Sequence, residues 1–171
     1  KEPLKELLPY IDAANVDLKS FNDEFYRKIC GGSLQPVLDN IEIMNEKIHI
    51  ELTTLIIPGE NDFPEELKEL FSWIAELNQE IPLHISRYFP NYKFEKPATS
   101  RQKMEEIYRL AGEYLDYVYL GNMRTDKGAT TFCPECGEKL IVRSGYHTDN
   151  RMDGDKCHVC GRQIAGVFPE K

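Results

Sequence analysis

With 171 residues, 41% of them hydrophobic and 29% charged, the chain has material for one hydrophobic core and a small satellite unit, which excludes a disordered polymer. The net charge of −8 argues against a nucleic-acid partner, since phosphate contacts need a basic footprint. No apolar run approaches the roughly 18 residues that span a bilayer, and no leader precedes the first amphipathic segment, so a reducing cytoplasmic setting without a membrane partner is expected.

Pro3 to Leu8 reads as the end of a helix, and the run Ala13 to Lys19 as a parallel strand with a charged tip. Asn22 or Asp23 offers a cap for a helix through Ile29, stopped by Gly31-Gly32. Ser33 is the expected cap of the next helix, whose Leu34, Val37, Leu38, Ile41 and Met44 share one face. Ile48 to Ile57 is the strongest strand pattern and ends at Pro58-Gly59. Asp62 with Glu65 has capping-box spacing for a helix to Asn78. Pro82 to Tyr88 reads as a strand, Thr99 as the cap of a helix to Ala111, and Asp116 to Leu120 as a last strand.

Strands alternating with helices at this spacing predict βαβ units and a parallel sheet. Four strands are too few to close an eight-stranded barrel, and the chain opens on Lys1 instead of Met. The fold class expected is therefore α/β: the C-terminal part of a partial (β/α) barrel, followed by a small zinc ribbon. The expected division is barrel over 1–122, linker over 123–129 and ribbon over 130–171.

Cys133-Pro-Glu-Cys136-Gly and Cys157-His-Val-Cys160-Gly form two C-x₂-C-G knuckles separated by twenty residues. Each puts two thiolates on one turn of chain, and the pair supplies the four ligands of a tetrahedral structural Zn²⁺. Gly137 and Gly161 permit the positive φ that turns backbone amides toward the sulfurs. A rubredoxin-type iron serving electron transfer uses similar knuckles and stands as the alternative. His147 and His158 lie nearby as ordinary polar side chains, and Cys30 reads as a buried small hydrophobe. Polar groups also gather at strand ends, where parallel sheets place their chemistry: Asp17 and Lys19 on the first strand, Thr53 and Thr54 on the second, His84, Ser86 and Arg87 on the third. They would suit a zwitterionic ligand, or serve only as a surface ion pair and core hydroxyls.

Asp17-Leu-Lys19, the stretch Leu55 to Asp62, Pro82 to Pro90, Tyr117 to Asn122 and the Cys-Pro-x-Cys-Gly ribbon together resemble the pyruvate formate-lyase activating enzyme group of the radical S-adenosylmethionine (SAM) superfamily. They are most similar to the radical SAM enzyme of the AmmeMemoRadiSam system. The resemblance covers essentially the whole chain. It implies S-adenosylmethionine on a [4Fe–4S] cluster, whose reductive cleavage gives a 5′-deoxyadenosyl radical acting on an unknown protein or small-molecule substrate. It also implies that Asp17 and Lys19 lie beside the methionine end of SAM with Asn15 close by. Thr53 occupies the place of a strand arginine and Phe89 that of a histidine, so His84, Ser86 or Arg87 would fill out the SAM pocket. The cluster motif C-x₃-C-x₂-C does not occur in the 171 residues. The resemblance then implies a fragment inactive alone, with the cluster upstream of Lys1. The competing reading is a non-enzymatic α/β adaptor whose zinc ribbon binds a partner protein.

Overall fold

The computed structural model describes residues 2–168, so Lys1 and the expected end of the ribbon at 169–171 lie outside the described residues. A four-stranded parallel sheet, β1 (Ala13–Asp17), β2 (His49–Ile56), β3 (Leu83–Arg87) and β4 (Val118–Gly121), runs in the order β1-β2-β3-β4. One main helix crosses between each neighbouring pair: α3 (Gln35–Asn45), α4 (Pro64–Asn78) and α5 (Arg101–Ala111). Sequential parallel strands joined by right-handed crossovers put every helix on the same face. The sheet is therefore one wall of a (β/α) barrel, helix-covered outside and open inside.

Alternation along the strands matches this. Ile50, Leu52 and Ile56 of β2 and Leu83 and Ile85 of β3 are buried under Leu38, Ile41, Leu67, Phe71, Ile74, Met104 and Ile107 of the helices. The intervening residues of each strand face the open side and are only partly covered. Burying that single apolar face is the main stabilisation of the unit, at roughly 1.5–3 kcal/mol for each large aliphatic side chain.

Several expected element starts move. The short α1 (Glu2–Leu7) passes into a 3₁₀ turn over Leu8–Tyr10. The helix capped by Asn22 holds only Asp23–Phe25 (α2) before widening into a π turn over Tyr26–Cys30, which Gly31 ends at φ 69°. Ser33 is not the cap of α3: Leu34 occupies that position, and its amide donates to Asp23 Oδ1 at 2.9 Å. The Asp62–Glu65 box does not form, because Phe63 precedes α4 and Asp62 Oδ1 instead accepts from the Gly59 amide at 2.8 Å. Ser100, not Thr99, caps α5, accepting from Lys103 N at 3.1 Å. Cys30 is exposed and not buried, lying on the π turn where no core element covers it.

Beyond β4 the connection is packed rather than loose. A 3₁₀ turn over Lys127–Ala129 buries Gly128 against Leu120, whose Cβ lies 2.6 Å from where a Gly128 Cβ would stand. A three-stranded antiparallel sheet follows, β5 (Thr131–Phe132), β6 (Lys139–Ser144) and β7 (His147–Asn150), with a small core of Tyr117, Cys133, Leu140, Cys157 and Ile164. No helix among the described residues is long and apolar enough to cross a membrane.

Candidate functional site

The carboxyl ends of β1, β2 and β3 are held by buried polar side chains. Thr54 donates its hydroxyl to the Leu18 carbonyl at 2.7 Å, and Thr99 donates to the Ile56 carbonyl at 2.6 Å. Asn61, only 1% exposed, donates to the carbonyls of Lys19 at 2.7 Å and Leu55 at 2.8 Å. Its Oδ1 accepts from the Ile57 amide at 2.8 Å. A buried amide side chain with three partners leaves the loops after β1 and β2 little freedom. Ser20, itself buried, bonds Glu66 of α4 and closes the same loop from below.

On this fixed edge Lys19 Nζ lies 2.7 Å from Asp17 Oδ1, both side chains part-exposed. Such a pair adds only about 0–1 kcal/mol to stability, so its placement matters more for binding than for folding. Strand register sets Asp17, Thr53, His84 and Tyr119 as one rung across the open face. Thr53 donates to Asn15 Oδ1 at 2.8 Å. One step below, Glu51 meets His84 Nε2 at 2.8 Å, and the His84 ring stacks on Tyr119 with centroids 5.1 Å apart. The His84 hydrogen bond holds the Glu51 carboxyl below the ordinary carboxylate range against the opposing effect of burial.

Asp17, Lys19, Asn15, Thr53, His84 and Ser86 thus share the open face or its rim. Arg87 does not. It alternates with His84 and Ser86, its Nε donates to the Thr99 carbonyl at 2.6 Å, and its guanidinium covers Phe89 at 4.6 Å. Glu51 and His49 belong to the face although sequence reasoning passed over them. The signal was present, because His49, Glu51 and Thr53 are the polar alternates of β2.

The second centre is built by the knuckles. Cys133, Cys136, Cys157 and Cys160 bring all four sulfurs within 4.8 Å of one another, and none forms a disulfide. Cys133–Cys160 Sγ atoms are 3.5 Å apart and Cys136–Cys157 3.7 Å. Zinc with Zn–S near 2.3 Å in a tetrahedron sets sulfurs about 3.8 Å apart, so the donor set fits a cation of that size. The two knuckles are folded alike: Gly137 N donates to Cys133 O at 2.8 Å and Gly161 N to Cys157 O at 2.9 Å, with φ of 73° and 78° at the glycines. The Cys160 amide, and less strongly that of Val159, draws the Cys157 thiol down to about 6. Cys136 is driven up to about 12: the Glu138 amide lowers it, but burial and bonding to the other three sulfurs outweigh that amide. Four sulfurs at these distances cannot all ionise without a cation among them. His147 and His158 are exposed and stand outside the cluster.

The ribbon touches the sheet through named contacts. Arg162, whose carbonyl accepts from Cys157 N at 2.9 Å, reaches Glu80 at 3.0 Å and Asp116 at 3.2 Å, and Glu135 of the first knuckle at 3.5 Å. Arg143 lies over the Tyr119 ring at 5.5 Å and donates to Thr131 Oγ1 at 3.0 Å, which also bonds the Tyr119 hydroxyl at 2.8 Å.

Comparison with known proteins agrees with this architecture. Residues 1–74 match the family model of the Radical SAM superfamily. An uncharacterized protein of Methanocaldococcus jannaschii, MJ0808, is 38% identical over 171 residues, covering 96% of this chain and 50% of the relative. The isethionate sulfite-lyase activating enzyme of Oleidesulfovibrio alaskensis is 28% identical over 83 residues, covering 47% of this chain and 27% of that enzyme. The crystal structure of a domain of pyruvate-formate lyase-activating enzyme from Bacteroides vulgatus superposes with a TM-score of 0.62 at 18% identity, covering 71% of this chain and 74% of the other. The parallel half-barrel is thus an activating-enzyme-like fold. The first 74 residues are therefore similar to the Radical SAM superfamily, and the parallel half-barrel shares its fold with the activating-enzyme domain. The chain spans about half the length of the curated relative MJ0808.

Proposed function

We propose that this chain is the C-terminal portion of a radical SAM enzyme similar to pyruvate formate-lyase activating enzyme, with the cluster loop carried by the part of the protein before Lys1. The observation that carries this is the Asp17–Lys19 pair, 2.7 Å apart at a strand's carboxyl end and inside the stretch that matches the superfamily. The relative of twice the chain's length supports the division. It also favours an enzyme over an adaptor, because the superfamily match lies in the sheet and not in the ribbon.

SAM ends in an ammonium and a carboxylate, which Asp17 and Lys19 complement in charge. Bound to a reduced [4Fe–4S] cluster, SAM supplies a radical able to abstract hydrogen from a substrate. The residues of this chain bind and orient. Asp17 would hold the ammonium and Lys19 the carboxylate, with Asn15 and Thr53 at the same corner. His84, steadied by Glu51, and Ser86 extend the face toward the substrate. Arg87 supports the rim from behind through the Thr99 carbonyl. The four cysteines fill the shell of a structural zinc, leaving no open position for hydrolytic chemistry. The chain alone is inactive, and a cytoplasmic setting keeps its thiols reduced.

The test uses the full-length protein reconstituted with iron and sulfide. Cluster absorbance and reductive SAM cleavage are expected, and Asp17→Asn and Lys19→Gln should each weaken SAM binding by about tenfold or more, the worth of one charged hydrogen bond. Absence of both cluster and cleavage in the wild type would sink the proposal. Unchanged SAM affinity in both variants would remove Asp17 and Lys19 from it.

A further inference from the structure

On the helix side of the sheet, at its β4 edge, α5 and the segment after β4 flank an open cleft of about 740 Å³. That is in the upper part of the range for ligand clefts. Its floor includes Leu120, which alternates with Tyr119 of the open face, so the cleft lies outside the barrel wall. One wall is the α5 row Arg101, Glu105 and Arg109. The other is the stretch Arg124 to Lys127, held to the sheet by Gly128 against Leu120 and by the Thr130 hydroxyl, which donates to Asp126 O at 2.8 Å.

Four cations and two carboxylates line this cleft, so it carries a net +2 on a chain whose net charge is −8. None of the four cations forms an ion pair among the described residues, although Glu105 stands one helical turn from both Arg101 and Arg109. Two guanidiniums are tethered to backbone instead. Arg101 Nη2 donates to Arg124 O on the other wall at 2.9 Å, and Arg109 Nε to Glu105 O at 3.4 Å. Each tether uses one donor and fixes the fork, so the remaining N–H groups can meet a carboxylate with little further ordering.

The order along α5 is plus, minus, plus, at a step of about 6 Å for every four residues. In an extended strand, residues i, i+2 and i+4 face one side at a step of about 6.6 Å. A strand laid along this row therefore stays in register with Arg101, Glu105 and Arg109 when its side chains read acid, base, acid. Glu105 discriminates among anions: a phosphodiester strand repeats one sign and would set a phosphate against it. A single phosphate is too small to span two arginines about 12 Å apart along the helix.

We propose that this cleft docks an extended segment of a protein partner with the charge order acid-x-base-x-acid. Arg101 and Arg109 take the two carboxylates and Glu105 the base, while Arg124 and Lys127 add positive charge from the facing wall. The inference stands on the outer wall alone, and its test needs neither SAM nor the cluster.

The full-length protein is titrated by fluorescence anisotropy with a dye-labelled Thr-Glu-Val-Lys-Val-Glu-Thr peptide. The comparison peptide, Thr-Lys-Val-Glu-Val-Glu-Thr, has the same composition and net charge in a different order. The first should bind saturably, about fivefold or more tighter than the second, and more weakly as salt is added. Arg101→Gln and Arg109→Gln, both compatible with a helix, should each weaken it about three- to tenfold. Glu105→Lys should reverse the preference, so that Thr-Glu-Val-Glu-Val-Glu-Thr binds better than the lysine-centred peptide. No saturable binding of the first peptide, equal binding of the first two, or an unchanged preference in Glu105→Lys would overturn the proposal. Tighter binding of a single-stranded oligothymidylate would overturn it in favour of a nucleic acid. Self-association of the free protein that Arg101→Gln abolishes would do so in favour of a second copy of this chain.

Discussion

Replacing Asn61 tests the account of the strand-end rim most directly. In Asn61→Ala, the carbonyls of Lys19 and Leu55 and the amide of Ile57 lose hydrogen bonds of 2.7, 2.8 and 2.8 Å at a site 1% exposed. At about 1 kcal/mol net per bond, rising where the abandoned group stays dry, the loss is about 3–5 kcal/mol. That is a large share of the roughly 5–15 kcal/mol expected for a domain of this size. Asn61→Asp sharpens the test, because it keeps the acceptor for Ile57 and loses both donors. Its buried carboxyl faces two carbonyls, so its folded pKa must rise above the ordinary value near ~3.9. A group with a raised acid pKa favours the folded state more as it protonates. The deficit of Asn61→Asp against wild type should therefore shrink as pH falls from about 7 toward about 4. Urea titrations of the three proteins across that range give the comparison. A loss below about 1 kcal/mol in Asn61→Ala at unchanged m-value, or a pH-independent deficit in Asn61→Asp, would refute the reasoning.

Three shorter expectations follow from other parts of the molecule. Cys136→Ser, or strong chelation, should release the metal and unfold residues 130–168 while the parallel sheet keeps its far-UV signal; hydrogen exchange resolves the two regions, and equal protection loss in both would contradict it. Gly128→Ala drives a methyl to within 2.6 Å of Leu120 Cβ and should cost about 1–3 kcal/mol, read as a lower urea midpoint. Glu51 has a folded pKa lowered from 4.5 chiefly by the His84 hydrogen bond, so its stabilisation is present above about 4.5 and lost as pH falls through the folded value. Glu51→Gln should flatten the acid limb of the stability curve, and an unchanged limb would show that the bond contributes nothing.

The metal centre was legible because its information is local: two thiols on one turn followed by glycine need no tertiary knowledge. The βαβ order was legible for the same reason, since each helix and strand carries its own period. The caps were not. Asp62 and Thr99 have the side chains of helix caps, yet one closes the Gly59 turn and the other reaches 43 residues back to Ile56. Propensity records that such an oxygen wants a partner and not which partner wins. Asn61 escaped notice because its main partner, the Lys19 carbonyl, lies 42 residues away. The Asp17–Lys19 rim was readable as a pair, but the separation of Arg87 from His84 and Ser86 followed only once β3 had a register.

Arg162 has a kinetic consequence. Its guanidinium takes Glu80 and Asp116 from the lower ends of β3 and β4, and its carbonyl closes the second knuckle. Without the ribbon those two carboxylates would lack that cation; in the folded chain burial pushes Asp116 above its usual range, and Arg162 opposes the rise. If the knuckle docks onto a preformed sheet, it would deliver Arg162 to a patch holding Glu80 and Asp116. Docking is steered by charge, so its rate should fall with added salt even where the final stability hardly changes. The ribbon's cation, which never touches the sheet, would then set the time at which the barrel wall is finished.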